Sequence, residues 1–357
     1  MTTGGEMVES SEVRGQIGMD SWKDESFRGN LYTITVDTEE QWDWSSGFTT
    51  DTQGVSNIQG LPRFQQACEA LGAKVTYFVN YAVLADEKSR DVIAQLSKNP
   101  MAEIGLHYHP WNTPPLSDKR EVPSRDSYLA NLDWGVARAK LESVMEGFDR
   151  LGIRPKSFRG GRYSTSDKIQ QYLFSKGIVA DYSFMPYCRW SDDGSPDYSR
   201  RGYQAIRRGF AQRGHGFWEL PLTRGFTRFD WDLMGRLFLR LESSPWNKLR
   251  LIGIMERLRV CERVWLNFEE MRGGANIKLL KTLVRKRLPY INFTLHSSSL
   301  VAGCNSYVPD GAALEELYGN LKSFLKPFES SGVYQTSTVT ELAGALESHY
   351  LDRADRS

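Results

Sequence analysis

The 357-residue chain has only five histidines, and the placement of three of them is its first chemical signal. His107 and His109 stand two residues apart in Gly105-Leu106-His107-Tyr108-His109-Pro110, and His296 directly follows the apolar run Pro289 to Leu295. Side chains at i and i+2 of a β-strand point to the same side, so one strand end can present two imidazoles to one ion. Asp37 and Glu39, within Asp37-Thr38-Glu39-Glu40, share that spacing. Two histidines and one carboxylate suit a catalytic rather than a structural zinc site, because positions stay open for water and substrate. Iron, cobalt and manganese accept the same donors. Plainer roles compete: a His-x-His pair also serves as hydrogen-bonded structural side chains, and an acidic cluster also stabilises a helix N-terminus.

Each cluster ends a segment that reads as a buried strand. Leu31 to Val36 is β-branched and aromatic and runs into the acidic cluster, while Ala102 to Leu106 runs into His107. Val75 to Val79 reads as another such strand. Helical spacing over about 62–71, 88–98, 127–151 and 166–175 separates strands, with Gly72, Gly152 and Gly177 as stops. Further strands at about 155–158 and 178–181 continue the alternation, the first leading to Arg159-Gly160-Gly161-Arg162-Tyr163. This rhythm predicts an α/β fold with parallel strands, a barrel whose strand C-termini carry the chemistry. From about 187 to 287 the rhythm is lost in a stretch rich in Arg, Trp and Gly, read as an irregular insertion with a strand near 216–220 and a helix near 231–241. It returns at 289–295, and a closing helix is expected over 311–328. Residues 1–30, rich in Gly, Ser and charge, read as a mobile lead-in, which leaves 31–350 as a single barrel domain.

Lys and Arg total 45 against 44 Asp and Glu, so the net charge of +1 gives no global drive towards nucleic acid or an anionic membrane. Any such partner has to be found by a local patch. Arg200, Arg201, Arg207, Arg208 and Arg213 fall in an acid-free stretch that could hold a phosphate or form a solvated loop. Cys68, Cys188, Cys261 and Cys304 are scattered and read as free thiols. Glu6, Glu9 and Glu12 stand where a secretory signal needs a basic start, and no run of about 18 apolar residues occurs. A soluble, cytoplasmic protein without a transmembrane segment is expected.

In order along the chain, from about Leu31 to His349, these motifs resemble those of the polysaccharide deacetylases, carbohydrate esterase family four. That family's domain is a distorted (β/α) barrel that removes acetyl groups from N-acetylated sugars with a divalent metal. Thr35-Val36-Asp37-Thr38-Glu39 is similar to the family's TFDD. The resemblance implies Asp37 as general base and Glu39, displaced by one residue, as metal ligand, with Glu40 a competitor. Ile104 to Pro110 is similar to the HxxxH motif but two residues shorter, which implies His107 and His109 as ligands in an altered geometry. Arg159-Gly160-Gly161-Arg162-Tyr163 resembles RxPY without its proline, so Arg159 would pair with Asp37, with Arg162 the alternative. Leu295-His296 is similar to the last motif and implies His296 as the acid that protonates the departing amine. Ser297 to Ser299 replace the family's usual acid there, so the motif does not identify the group that orients His296. The acidic and histidine phrases, with Trp42, Trp44 and Trp111 beside them, look like a divergent branch found in bacterial surface-polysaccharide loci.

The resemblance thus implies an N-deacetylase of an amino sugar in polysaccharide, lipopolysaccharide or glycosylated-metabolite biosynthesis, with zinc as the expected ion. Trp44, Trp111 and Tyr163 are expected at the sugar, since aromatic faces suit sugar rings, although core packing accounts for tryptophan equally well. Hydrolysis of another amide C–N bond, as by allantoinase- or formamidase-like enzymes, is the rival activity, and a non-catalytic carbohydrate-binding relative is the rival class. No nucleic-acid partner is expected, and the oligomeric state stays open.

Overall fold

A computed structural model describes residues 29–41, 46–51, 54–189, 193–209, 216–243, 250–269, 274–286 and 288–356. Trp42, Trp44, Arg213 and residues 1–28 of the expected lead-in lie outside the described residues. Nine strands make the main sheet: Leu31–Thr38 (β1), Val75–Val79 (β3), Ala102–Tyr108 (β4), Ser157–Gly160 (β6), Ala180–Phe184 (β7), Ile206–Arg208 (β8), Phe217–Pro221 (β9), Tyr290–His296 (β12) and Gln335–Thr336 (β13). Their order is β12-β1-β3-β4-β6-β7-β9-β8, with β13 added beside the start of β1. All pairs are parallel except β8 with β9. Two small antiparallel ribbons stand apart, Phe48–Thr49 (β2) with Glu121–Val122 (β5), and Arg224–Phe226 (β10) with Arg263–Trp265 (β11).

The helices are Leu61–Glu69 (α1), Tyr81–Ala85 (α2), Glu87–Leu96 (α3), Trp134–Asp149 (α4), Asp167–Ser175 (α5), Trp231–Ser243 (α6), Leu251–Arg257 (α7), Ala275–Lys286 (α8), Gly311–Ser331 (α9) and Val339–Ala354 (α10). They cover the curled sheet, so strands such as β1 and β3 are buried on both faces and read as near-continuous apolar runs. The expected helix over 127–151 starts later, at Trp134, because Asp133 caps it by accepting from Gly135 N, and 3-10 turns occupy 124–131. The helix over 311–328 is present as α9 but does not close the chain. After it comes α10, held by a reciprocal capping box between Thr338 and Glu341.

The irregular insertion completes the barrel. Leu266 N donates to Thr223 O at 2.9 Å, Thr294 N to Leu266 O at 3.3 Å, and Phe268 N to Thr294 O at 3.0 Å. Residues after β9 and after β11 thereby bridge the gap to β12, which makes the barrel distorted rather than uniformly stranded. Within the acid-free arginine stretch, Arg200 is exposed, whereas Arg201, Arg207 and Arg208 are taken up by internal acids rather than left for an anion. Arg201 and Arg208 hold the buried Glu219 at 2.5 and 2.9 Å, and Arg207 grips Glu347 through Nε at 2.9 Å and Nη2 at 2.7 Å. The four cysteines are unpaired thiols.

Candidate active site

Because the main strands are parallel, their C-terminal ends lie on one edge, and there β1 delivers Asp37, β4 His107, β6 Arg159 and β12 His296. Register places Asp37 opposite His296 and His107 opposite Arg159. The inside of the barrel leading to this edge is polar: Asn292 Nδ2 donates to Thr33 and Thr35 Oγ1 at 3.0 and 3.1 Å.

Glu39, His107 and His109 meet in one buried group. Glu39 Oε2 lies 3.1 Å from His107 Nε2 and 3.0 Å from His109 Nε2, and the two Nε2 atoms are 3.1 Å apart. The other ring nitrogens are engaged, His107 Nδ1 with Arg159 O at 2.7 Å and His109 Nδ1 with Glu40 Oε1 at 2.9 Å. With protons on Nδ1, both Nε2 lone pairs point at the Glu39 oxygen. Three such atoms repel unless a shared proton or a cation stands between them, and a divalent cation suits this donor set. Tetrahedral zinc holds nitrogen and oxygen ligands about 3.3 Å apart, so a slight expansion fits a divalent ion. Burial disfavours a charged ring, but Glu40 and Glu39 on its two nitrogens outweigh that and push His109 up to about 10. An entering ion would therefore displace a proton.

Neighbouring acids have different places. Glu39 is turned towards the histidine Nε2 atoms, its N–H donating to Ser297 Oγ at 3.1 Å and its carbonyl accepting from Asn57 Nδ2 at 2.9 Å. Glu40 lies behind His109, where Asn80 and Asn112 donate to it at 2.5 and 2.7 Å. Glu40 thus orients the ring from its far side.

Arg159 is fully buried and gives Nη1 to Asp37 Oδ1 at 2.5 Å and Nη2 to Thr35 Oγ1 at 2.9 Å, with Phe78 under the guanidinium at 4.5 Å. Arg162, the alternative partner, points elsewhere, to Ser127 Oγ at 2.5 Å and Asp193 at 3.4 Å. His296 Nε2 lies 3.9 Å from Asp37 Oδ2. Its Nδ1 meets Glu269 Oε2 at 2.9 Å, and its N–H donates to Glu269 Oε1 at the same distance. Against the pull of burial, Glu269 raises His296 to about 10. Glu269 is the site residue the sequence reading missed. It sits in the irregular segment, where no motif or periodicity marks it, and the vacancy left by Ser297 to Ser299 was the one available hint.

Trp111, expected at the sugar, is 3% exposed, with its ring stacked on His109 at 4.1 Å and against Phe48 at 4.9 Å. Tyr163 is half-buried, edge-on to Trp265 at 5.8 Å, and burial followed by the charge of Asp37 holds its phenol well above the usual range. Between Arg159 and Tyr163 only glycine fits at position 161, where a Cβ would lie 2.5 Å from His109 Cδ2 and from Tyr108 O.

No family model matches the chain. Over 132 residues, 37% of its length, it is 28% identical to glutamate–tRNA ligases of Xanthomonas campestris pv. campestris strains B100 and 8004, and it spans about a quarter (25%) of those curated relatives. Two solved structures resemble it along most of its length. A Mycobacterium smegmatis protein, named provisionally a polysaccharide deacetylase, superposes with a TM-score of 0.53 at 15% identity, over 93% of this chain and 94% of that one. A Parabacteroides distasonis protein, named provisionally a glycoside hydrolase or deacetylase, superposes with a TM-score of 0.52 at 12% identity, over 90% and 72%. Identities this low carry the fold and leave the roles of residues to the geometry. With a curled, mainly parallel sheet that matches along nearly the whole chain, the protein has the distorted (β/α) barrel fold of the polysaccharide deacetylases.

Proposed function

We propose that the protein is a metal-dependent N-deacetylase that hydrolyses the acetamido group of an amino sugar. The carrying observation is the meeting, on one edge of the barrel, of the buried Glu39-His107-His109 group with the Asp37–Arg159 and His296–Glu269 pairs. Glu39, His107 and His109 would hold a divalent ion, zinc by expectation, with iron, cobalt and manganese suited to the same donors. Such an ion supplies a Lewis acid for the amide carbonyl and a lowered pKa for a water.

The protein's own groups do the rest. Asp37 keeps Oδ1 on Arg159 and directs Oδ2 into the gap towards His296, so it takes a proton from the attacking water. His296 is held charged by Glu269 and gives its Nε2 proton to the nitrogen of the departing amine as the C–N bond breaks. Acetate and a free amino sugar result, and His296 regains its proton from Asp37 or solvent. Tyr163 would contact the sugar, while Trp111 acts on His109 by stacking.

The test measures metal content and acetate release from N-acetylglucosamine-bearing substrates for the wild type and Asp37→Asn. One ion per chain and a rate loss of about 100-fold or more are expected. A protein without stoichiometric metal, or one whose acetate release survives Asp37→Asn unchanged, would sink the proposal. Turnover of small amides with none of amino sugars would move the activity to another C–N bond.

A further inference from the structure

The insertion has a surface that hydrolysis at the barrel edge does not use. Seven of the eleven large hydrophobic side chains exposed among the described residues lie within 229–284: Phe229, Leu233, Ile254, Leu258, Val260, Ile277 and Val284. Leu233 is 53% and Leu258 68% exposed, so no described residue covers these faces. The charge is equally lopsided. Residues 224–287 contain 15 Lys and Arg against 7 Asp and Glu, although the whole chain is nearly neutral at +1.

Helical spacing puts the two features on the same stripes. The exposed positions of α6 and its approach include Phe229, Leu233, Arg236 and Arg240; those of α7 with its flanks are Arg250, Ile254, Arg257 and Leu258; those of α8 include Ile277, Lys281, Val284 and Arg285. Three helices thus repeat one pattern of aliphatic side chains alternating with arginine or lysine. They belong to one unit: α6 packs on α7, and Lys286 of α8 sits over the Trp231 ring of α6 at 5.7 Å. Among the described acids of the segment, Glu242 pairs with Arg263 at 2.7 Å, Glu262 with Lys278 at 3.1 Å and Glu269 with His296 at 2.9 Å, while the exposed Asp230 and Asp232 accept from Leu233 N at 2.9 Å and from the Tyr187 hydroxyl at 3.1 Å. Among the described residues no acid pairs with Arg236, Arg240, Arg250, Arg257 or Arg259.

We infer that α6, α7 and α8 form a docking surface for an anionic membrane, with the aliphatic side chains entering the headgroup boundary and the guanidinium groups meeting lipid phosphates. A mixed apolar and basic helical face has that complement, since burial of Leu and Ile and attraction to anionic lipid add together. No described helix is long and apolar enough to cross a membrane, so the attachment is peripheral. A second copy of the chain is a poorer occupant, because a two-fold contact would set like charge against like charge. Nucleic acid would use the arginines but leave the exposed leucines and isoleucines without a partner. The surface stands independently of the deacetylase reading, although the same segment contributes Glu269.

Flotation of the full chain with vesicles of phosphatidylcholine alone, or with phosphatidylglycerol in equal parts, tests it. The protein should float with the anionic vesicles, stay behind with the neutral ones and be released by high salt. Arg257→Glu with Arg259→Glu should weaken vesicle binding by roughly thirtyfold or more, and Leu233→Asp with Leu258→Asp should also weaken it; the four positions are exposed, so circular dichroism should be unchanged. Absence of flotation on anionic vesicles would overturn the inference. So would flotation that both double variants leave untouched, or a concentration-dependent dimer that the leucine variants dissolve.

Discussion

Two carboxylates of similar chemistry, Glu39 and Glu269, hold histidines in opposite ways, and the difference assigns their work. Glu39 meets His107 and His109 at Nε2, where an ion would sit, whereas Glu269 engages Nδ1 of His296 and leaves Nε2 facing Asp37. Glu269 touches neither a proposed ligand nor the substrate position, so it is a positioning residue that also keeps His296 charged. Glu269→Gln should lower kcat by about 100-fold while metal content stays at the wild-type level. Because the neutral amide no longer favours the imidazolium, the alkaline limb of the kcat profile should also move to lower pH. Parallel measurements of metal stoichiometry and of the profile check this, and loss of the metal together with activity would refute a role confined to His296.

The loop after β4 shows how an element holds a residue in place. Having supplied His109, the chain doubles back so that Thr113 Oγ1 donates to His109 O at 2.6 Å, Asn112 reaches Glu40 and Trp111 stacks on the ring. Lys140 of α4 clamps this loop from below, donating Nζ to the carbonyls of Pro110, Thr113 and Pro115 at 2.9, 2.6 and 2.7 Å. A buried ammonium satisfied by three carbonyls leaves all three unpaired when it is removed. Lys140→Met should therefore destabilise the protein by about 2–3 kcal/mol and weaken metal binding, with the core otherwise intact. Urea unfolding and a chelator competition measure the two effects; stability and metal affinity both equal to wild type would show that the loop holds itself.

On the far side of the sheet from β12, β9 carries the buried Glu219 between Arg201 and Arg208. Burial raises a carboxyl's pKa, but the two guanidinium groups outweigh it, and the Glu219 carboxyl lies below its ordinary value. A carboxyl depressed on folding contributes its full stability above the unfolded-state pKa and loses it as pH falls through the folded one. Glu219→Gln should cost about 3 kcal/mol at neutral pH, where it leaves two arginines beside a neutral amide. That deficit should shrink in the acid range, as the wild-type carboxylate itself becomes protonated. Urea midpoints from neutral to acid pH check the sign: a deficit that grows on acidification would contradict the assignment.

Much of the strand framework was legible because buried parallel strands leave uninterrupted apolar runs, so β1, β3, β4 and β12 were readable along with the polar groups at their ends. Spacing of two was enough to bring His107 and His109 into one group, whereas Asp37 and Glu39, equally spaced, meet different partners. The choice between Glu39 and Glu40 was not legible, since adjacent residues differ only in direction, and that direction follows from Ser297 and Asn57 gripping the Glu39 backbone. Within 187–287 the strand near 216–220 and the helix near 231–241 were readable, but the residues that close the barrel were not, because they do so through isolated hydrogen bonds that leave no periodicity. Glu269 belongs to that class: its partner His296 is 27 residues away, and only the return of the chain alongside β12 brings the two together. Local pattern thus set the residue types and the strands that carry them, whereas the pairing of residues distant in sequence awaited the folded barrel, because such contacts depend on chain paths that neighbouring residues do not encode.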